Sequence, residues 1–263
     1  MAEVYGSQQR PRKRWGRRLL ITFIVLLIIV VGILAVVDRF GASYAEREIS
    51  DRVAQQVANQ KATSEKPDVT IEGVPFLTQV VKGEYQEIKI ELNNFAGPAG
   101  DGKTIKMPLL DIRAKDVKAP LETIRNGSGR IVASTVTGAG TIDYATVEGL
   151  VNQQGVKLAE KGGKLAVTAP VKVLNQTVTV NGIADLTVKD NVVSLRFEQV
   201  SAPDLPQVPL VQNLLNNYAK QISVNIKVPA LPLKLAVQKV QPTAAGLVVT
   251  AGASDVELNS GGL

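Results

Sequence analysis

The chain contains no histidine and no cysteine. The first absence excludes Ser-His-Asp and Cys-His nucleophiles and any imidazole proton shuttle. The second excludes thiolate chemistry, zinc-thiolate sites and redox pairs, and leaves an exported domain without disulfide staples. Carboxylate, Lys, Tyr or Ser-Lys chemistry is what remains. Aromatic residues are scarce, with 5 Phe, 5 Tyr and 1 Trp, too few for a surface built to stack bases or sugars. At 263 residues a hydrophobic core alone can hold a fold together.

Charge is unevenly placed. The first eighteen residues hold Arg10, Arg12, Lys13, Arg14, Arg17 and Arg18 against Glu3, which leaves 24 bases and 23 acids for the rest of the 30 Lys+Arg and 24 Asp+Glu. The sequence pI near 9.4 is therefore a property of the tail, and the main domain has no electrostatic case for nucleic acid.

Leu19 to Val37 carries no charge and is flanked by that basic tail and by Asp38 and Arg39. At about 1.5 Å per residue it reaches roughly 28 Å, close to the hydrocarbon thickness of a bilayer. The reading is a basic cytoplasmic tail at 1–18, a transmembrane anchor or uncleaved signal at 19–37, and a domain from residue 40 to 263 outside the cytoplasm, oriented by the positive-inside rule. A cleaved signal peptide competes, with Ser43-Tyr44-Ala45 as its processing site, although the run is longer than an ordinary h-region. A buried core helix is the third reading. No cysteine follows the run to carry a lipoprotein anchor.

Beyond it, Ala42 to Thr63 repeats apolar residues every four positions (Ala45, Ile49, Val53, Val57), which predicts an amphipathic helix. Ser64 to Pro67 breaks it. Period-2 alternation then predicts half-buried antiparallel strands around Val69–Gly73, Ile88–Leu92, Ile131–Thr135, Leu165–Ala169, Val178–Gly182 and Val193–Phe197, resuming at Val224–Val228, Leu233–Val240 and Leu247–Ala251. Turns are expected at Gly97-Pro98, Asn126-Gly127, Gly162-Gly163, Asn181-Gly182 and Lys189-Asp190-Asn191. Short helices are expected from Tyr144 to Gln153, capped by Asp143, and from Pro209 to Ile222. Ser201–Pro209 and Val228–Pro232 are proline-rich, apolar, and suited to sheet edges or to the lip of a groove. The fold class is α+β: an N-terminal transmembrane helix, then a long curved antiparallel sheet packed on amphipathic helices.

No nucleophile elbow, zinc, Walker or EF-hand pattern occurs, and Gly138-Ala139-Gly140 lacks the third glycine of a dinucleotide loop. Glu84 with Glu87, Asp111 with Asp116 and Asp185 with Asp190 read as solvated faces. No catalytic residue, metal ligand or cofactor is expected.

The most distinctive text is EGVPFLTQVVKGEYQEIKI, Glu72 to Ile90, which reads as a strand, an apolar corner and a return. With Gly73, Pro75, Phe76, Leu77, Thr78, Gln79, Gly83 and Tyr85 in place, and VPALPLKLAVQKVQPTAAGLVVTAG from Val228 to Gly252, the sequence resembles the LmeA-like family of phospholipid-binding proteins of the actinobacterial envelope. The resemblance covers roughly residues 40 to 258. It implies a periplasmic or membrane-tethered protein that holds phospholipid in an apolar groove and supports envelope lipid or lipoglycan assembly, with a fold resembling the tubular lipid-binding domains. It supplies no catalytic residues. The anchor departs from a freely shuttling carrier.

A groove lined by apolar side chains gains about 0.8 kcal/mol per buried methylene, so it needs few polar contacts. The candidate lining is Phe76, Leu77, Val80, Leu109, Leu110, Leu205, Val208, Leu210, Leu214 and Leu231, with phospholipid and membrane as partners. Two alternatives stay open. One is an anchored β-rich interaction module with a closed core, the other a hydrolase or transferase built on carboxylates or a Ser-Lys pair.

Overall fold

A computed structural model describes residues 15–100, 103–126, 129–150, 155–173, 176–189, 192–203, 213, 224–227 and 235–258. Helix α1 (Trp15–Asn59) runs 45 residues without a break. The apolar run and the amphipathic segment are thus one helix, although the sequence pattern changes at Asp38. Every residue from Arg17 to Val37 is exposed. Farther on, Ala42 and Val53 are buried and Ala45, Ile49 and Val57 half-buried, the stripe that the spacing of four predicts. The helix closes where Ala62 N–H donates to the Val57 carbonyl at 3.1 Å. The polar break that follows is pinned along the sheet, with Glu65 N–H on the Asn93 carbonyl at 2.9 Å and the Ser50 hydroxyl on the Pro67 carbonyl at 2.6 Å.

The rest is α+β, with two antiparallel sheets among the described residues in place of the single long sheet expected. The elements are β1 (Asp68–Glu72), α2 (Phe76–Lys82), β2 (Glu84–Gly100), β3 (Lys103–Lys118), α3 (Leu121–Asn126), β4 (Val132–Ile142), α4 (Tyr144–Leu150), β5 (Lys157–Lys161), β6 (Lys164–Val173), β7 (Gln176–Lys189), β8 (Val192–Ser201), β9 (Val224–Lys227), β10 (Ala236–Thr243) and β11 (Gly246–Glu257). The first sheet runs β1-β2-β3-β4-β11-β10 and the second β5-β6-β7-β8-β9. Leu165 and Val193 of the second sheet pack with Val237, Val240 and Leu247 of β10 and β11, and Val147 of α4 closes the same cluster.

Sequence expectations hold at several junctions. Asp143 caps α4 through Thr146 N–H at 2.6 Å, Gly162-Gly163 turns β5 into β6 with both residues at positive φ, and Lys189 pairs with Val192 across the β7–β8 hairpin. Others are corrected. Gly97-Pro98 lies inside β2, and Asn181-Gly182 inside β7. The corner at Pro75-Phe76-Leu77 is the start of a helix. The helix expected from Pro209 to Ile222 and most of both proline-rich stretches fall outside the described residues.

Strands β2, β3, β4 and β11 share an unusual feature. Along each, the inward-facing residues step by three at one point instead of two. Tyr85 and Ile88 in β2, Val117 and Ala114 in β3, Ala133 and Val136 in β4, and Val256 and Ala253 in β11 all pack in one core cluster. The positions between fall in line across the sheet, since Val117 and Lys115 pair with Ala133 and Thr135, which pair in turn with Val256 and Ser254. Asp116 and Asp255 on this seam have φ of 50° and 53°, the left-handed region that Asp and Asn tolerate best among residues with a side chain. Asn94, with φ 51°, produces a second change of phase, between Leu92 and Phe95.

Candidate functional site

The motif Gly73-Val-Pro-Phe-Leu-Thr-Gln79 builds the junction between α1 and the first sheet. Gly73 has φ 100° and a Cβ there would meet the Gln86 side chain and Gln79 Nε2, so only glycine fits. Gln79, buried, donates through Nε2 to the carbonyls of Gly73 (2.9 Å) and Glu72 (3.2 Å) and accepts from Gln86 N–H at 2.9 Å. One side chain thereby ties β1, α2 and β2 together at the edge of the seam. Gly83, with φ 67°, ends α2 and lies so close to Pro120 that a Cβ would stand 2.9 Å from its Cα.

The start of α2 is held by α1. Asp38 accepts from Phe76 N–H at 3.0 Å and from Leu77 N–H at 2.7 Å, one carboxylate oxygen each. These are orphan donors of a helix N-terminus, and a carboxylate satisfies them with favourable charge. Two turns on, Glu46 accepts from Ile71 N–H at 3.1 Å. Gly41 leaves room for the Phe76 ring, 3.3 Å from where its Cβ would be. Phe76 faces Tyr85 with ring centroids 6.2 Å apart, and burial raises the pKa of the Tyr85 hydroxyl.

The candidate lining residues separate into groups. Phe76 is only 7% exposed and lies in the core with Ala42, Ile71 and Val117, while Leu77 and Val80 are half-buried against the same cluster. Leu110 packs half-buried in the neighbouring cluster of Val53, Val69, Ile90 and Leu92, and the two clusters share Ile49, Ile88 and Ile112. Leu109, on the opposite face of β3, is exposed. Leu205, Val208, Leu210, Leu214 and Leu231 lie outside the described residues. Gly138 and Gly140, passed over as a phosphate loop, sit in β4 beneath Leu235 and Met107.

The acidic residues on the polar face of β2 and β3 are paired. Arg113 binds Asp111 through two hydrogen bonds (3.1 and 3.0 Å) and reaches Glu87 at 3.3 Å, while Lys89 meets Glu91 at 2.9 Å. Hydrogen bonding to Asp111 raises the Arg113 pKa, and the bond to Glu91 raises that of Lys89. On α4, Glu148 accepts from Leu158 N–H at 2.8 Å and from Lys157 at 3.0 Å, and the backbone bond above all lowers its pKa. Among the described residues no group of three or more acidic side chains could hold a metal ion, and no buried side-chain polar atom lacks a partner.

A family model described as LmeA-like phospholipid-binding matches residues 36–252. The chain belongs to this family. The span matched in this LmeA-like chain opens at Val36, two residues before Asp38, and closes at Gly252 in β11, so it takes in the docked half of α1, the α2 corner and both sheets. No curated protein matches the chain, and no solved structure does.

Asp38, Gln79 and Glu46 went unassigned by sequence reasoning. Asp38 was legible only as the first charge after the apolar run. Gln79 carried a signal, a polar residue inside an otherwise apolar motif.

Proposed function

We propose that this protein is a membrane-anchored phospholipid-binding protein that acts outside the cytoplasm, holds acyl chains in an apolar groove and serves envelope lipid or lipoglycan assembly without catalysing a reaction itself. The observation that carries this reading is the phospholipid-binding family match over residues 36–252. The N-terminal helix supports it, being long and apolar enough to cross a membrane with none of its apolar window buried inside the protein. The basic tail before Leu19 would keep the N-terminus cytoplasmic. The groove would lie on the face of β3 that carries the exposed Leu109, with Leu205, Val208, Leu210, Leu214 and Leu231, while Leu110, Leu77 and Val80 pack on the other face against α1 and would support it through the fold.

Crosslinking tests this in the full chain, reconstituted in nanodiscs that contain a phospholipid with a photoactivatable group at the end of one acyl chain. Adducts on peptides carrying Leu109–Leu110 or Leu205–Leu214 are expected, mapped by mass spectrometry. Adducts confined to residues 19–37 would remove the groove.

One observation favours a second reading for the α2 corner. Phe76 is closed into the core against Gly41 of α1, the placement of a wedge that sets the domain on its anchor rather than of a groove wall. Phe76 would then contribute to lipid binding only through the fold.

A further inference from the structure

Around α2 several large apolar side chains stand uncovered. Val74 is 89% and Val81 83% exposed, with Thr78 exposed between them. Thr78 and Val81, three apart, share one side of α2, and Val74 stands outside the helix, ahead of the extended Pro75. Helix α3 buries none of its residues, and Leu121 and Ile124 on it are about half exposed. The two helices adjoin, because Ala119 N–H donates to the Gly83 carbonyl at 2.9 Å. On α1, Phe40 and Tyr44, one turn apart, are 75% and 72% exposed.

The place of this apolar surface in the fold says what covers it. Asp38 is the first charged residue after the apolar run, and its carboxylate holds the first two amides of α2. The start of α2 is therefore fixed at the level where α1 leaves the hydrocarbon. Phe40 stands about 3 Å and Tyr44 about 9 Å farther along the helix axis, within the headgroup layer where aromatic side chains concentrate. Arg39, Lys82, Lys118 and Arg125 surround the surface, as do Glu72, Glu84 and Glu122, all exposed. These four bases against three acids leave little net charge, so apolar contact would dominate, with the bases free to extend toward lipid phosphates.

We propose that this corner, Val74, Val81, Leu121 and Ile124 together with Phe40 and Tyr44, is seated in the interfacial layer of the same bilayer that α1 crosses. The inference rests on the spanning of α1 proposed above. It makes the corner a second point of membrane contact, which fixes the rotation of the folded part about the anchor axis as well as its height.

The absence of cysteine makes the test direct. Single substitutions Val74→Cys, Val81→Cys and Ile124→Cys in the full chain are labelled with an environment-sensitive dye and reconstituted in vesicles of phosphatidylcholine and phosphatidylglycerol, with and without spin-labelled lipid carrying the quencher at shallow depth. Ile28→Cys, in the middle of the apolar run, reports the anchor with a deep quencher. Lys161→Cys, on the β5–β6 hairpin beyond the opposite end of β4, is the reference away from the bilayer. Shallow quenching several-fold stronger at all three corner positions than at Lys161→Cys is expected, with loss of most of it from Ile124→Cys when Val74→Asp and Val81→Asp are added and the circular dichroism is unchanged. Quenching at Ile28→Cys alone would overturn the seating and leave the anchor standing. No quenching at Ile28→Cys would overturn both. Blue-shifted, unquenched emission at the corner would show that a second copy or another protein covers it, and would equally overturn the lipid assignment.

Discussion

The two halves of α1 are one helix with two surface patterns. From Arg17 to Val37 every side chain is exposed and almost all are apolar, whereas from Ala42 to Val57 apolar residues recur on one side and that side is buried. Backbone geometry is the same in both, so it does not tell them apart. In hydrocarbon each peptide group must find its partner within the helix, and an apolar surface all round has no penalty there. In water only a stripe can be apolar, and it must find a sheet to cover it.

Charge substitution separates the halves most sharply. Val53→Asp would put an unpaired carboxylate among Val69, Ile90 and Leu92, and should cost the fold about 4 kcal/mol, read as a lower urea midpoint of the β-sheet circular dichroism in detergent. Val30→Asp should leave that midpoint unchanged and instead weaken insertion by about 3 kcal/mol, read as the glycosylated fraction in a translocon assay. Equal midpoint shifts for both would show that the two halves share one environment.

Truncating the wedge comes next. Phe76→Ala empties the contact with Gly41 and Tyr85 and should destabilise the domain by about 3 kcal/mol. A loss below about 1 kcal/mol would mean that the docked half of α1 holds without it.

Asp38→Ala should cost about 1 kcal/mol. The more specific readout is hydrogen exchange, where the Phe76 and Leu77 amides should speed up well before their neighbours in β2 do. Unchanged exchange at those two amides would disconnect α2 from the helix.

The smallest effect is a control placed far from α1. The pKa of Glu148 is lowered in the fold, chiefly by the Leu158 amide, so its contribution is present in full above the ordinary glutamate range, about pH 4.3, and is lost as pH falls through the lowered folded value. Glu148→Gln should therefore narrow the gap in stability between neutral pH and pH 3 by less than about 1 kcal/mol. A wider gap would contradict the assigned sign.

The apolar run was readable from its unbroken length, and the docking stripe and most strands were readable because burial imposes a period on them. β3 was not. Its inward residues are Met107, then Leu110, Ile112 and Ala114, then Val117, and the changes of phase at Pro108 and Asp116 erase the alternation that marks a strand. Gly97-Pro98 misled for a related reason, since β2 carries its irregularity within the ladder instead of ending there. The short helices α2 and α3 are too brief for a period to show. At the candidate site Phe76, Leu77 and Val80, three of the ten residues expected to line a groove, share a core cluster. It could not identify Asp38, whose role depends on a contact with residues 38 and 39 positions away.

The unbroken helix between Val37 and the docked stripe has a consequence for kinetics. A flexible tether of twenty residues would let a domain wander by about 25 Å and collide with whatever lay within that radius. Here the tether has no slack. With α1 anchored as proposed above, encounter with lipid would become a two-dimensional search within the plane of the host membrane, and any acceptor on another surface would itself have to come within reach of the folded body. For a protein of this build, supply from the near leaflet would be fast, and delivery elsewhere would be limited by the arrival of the partner.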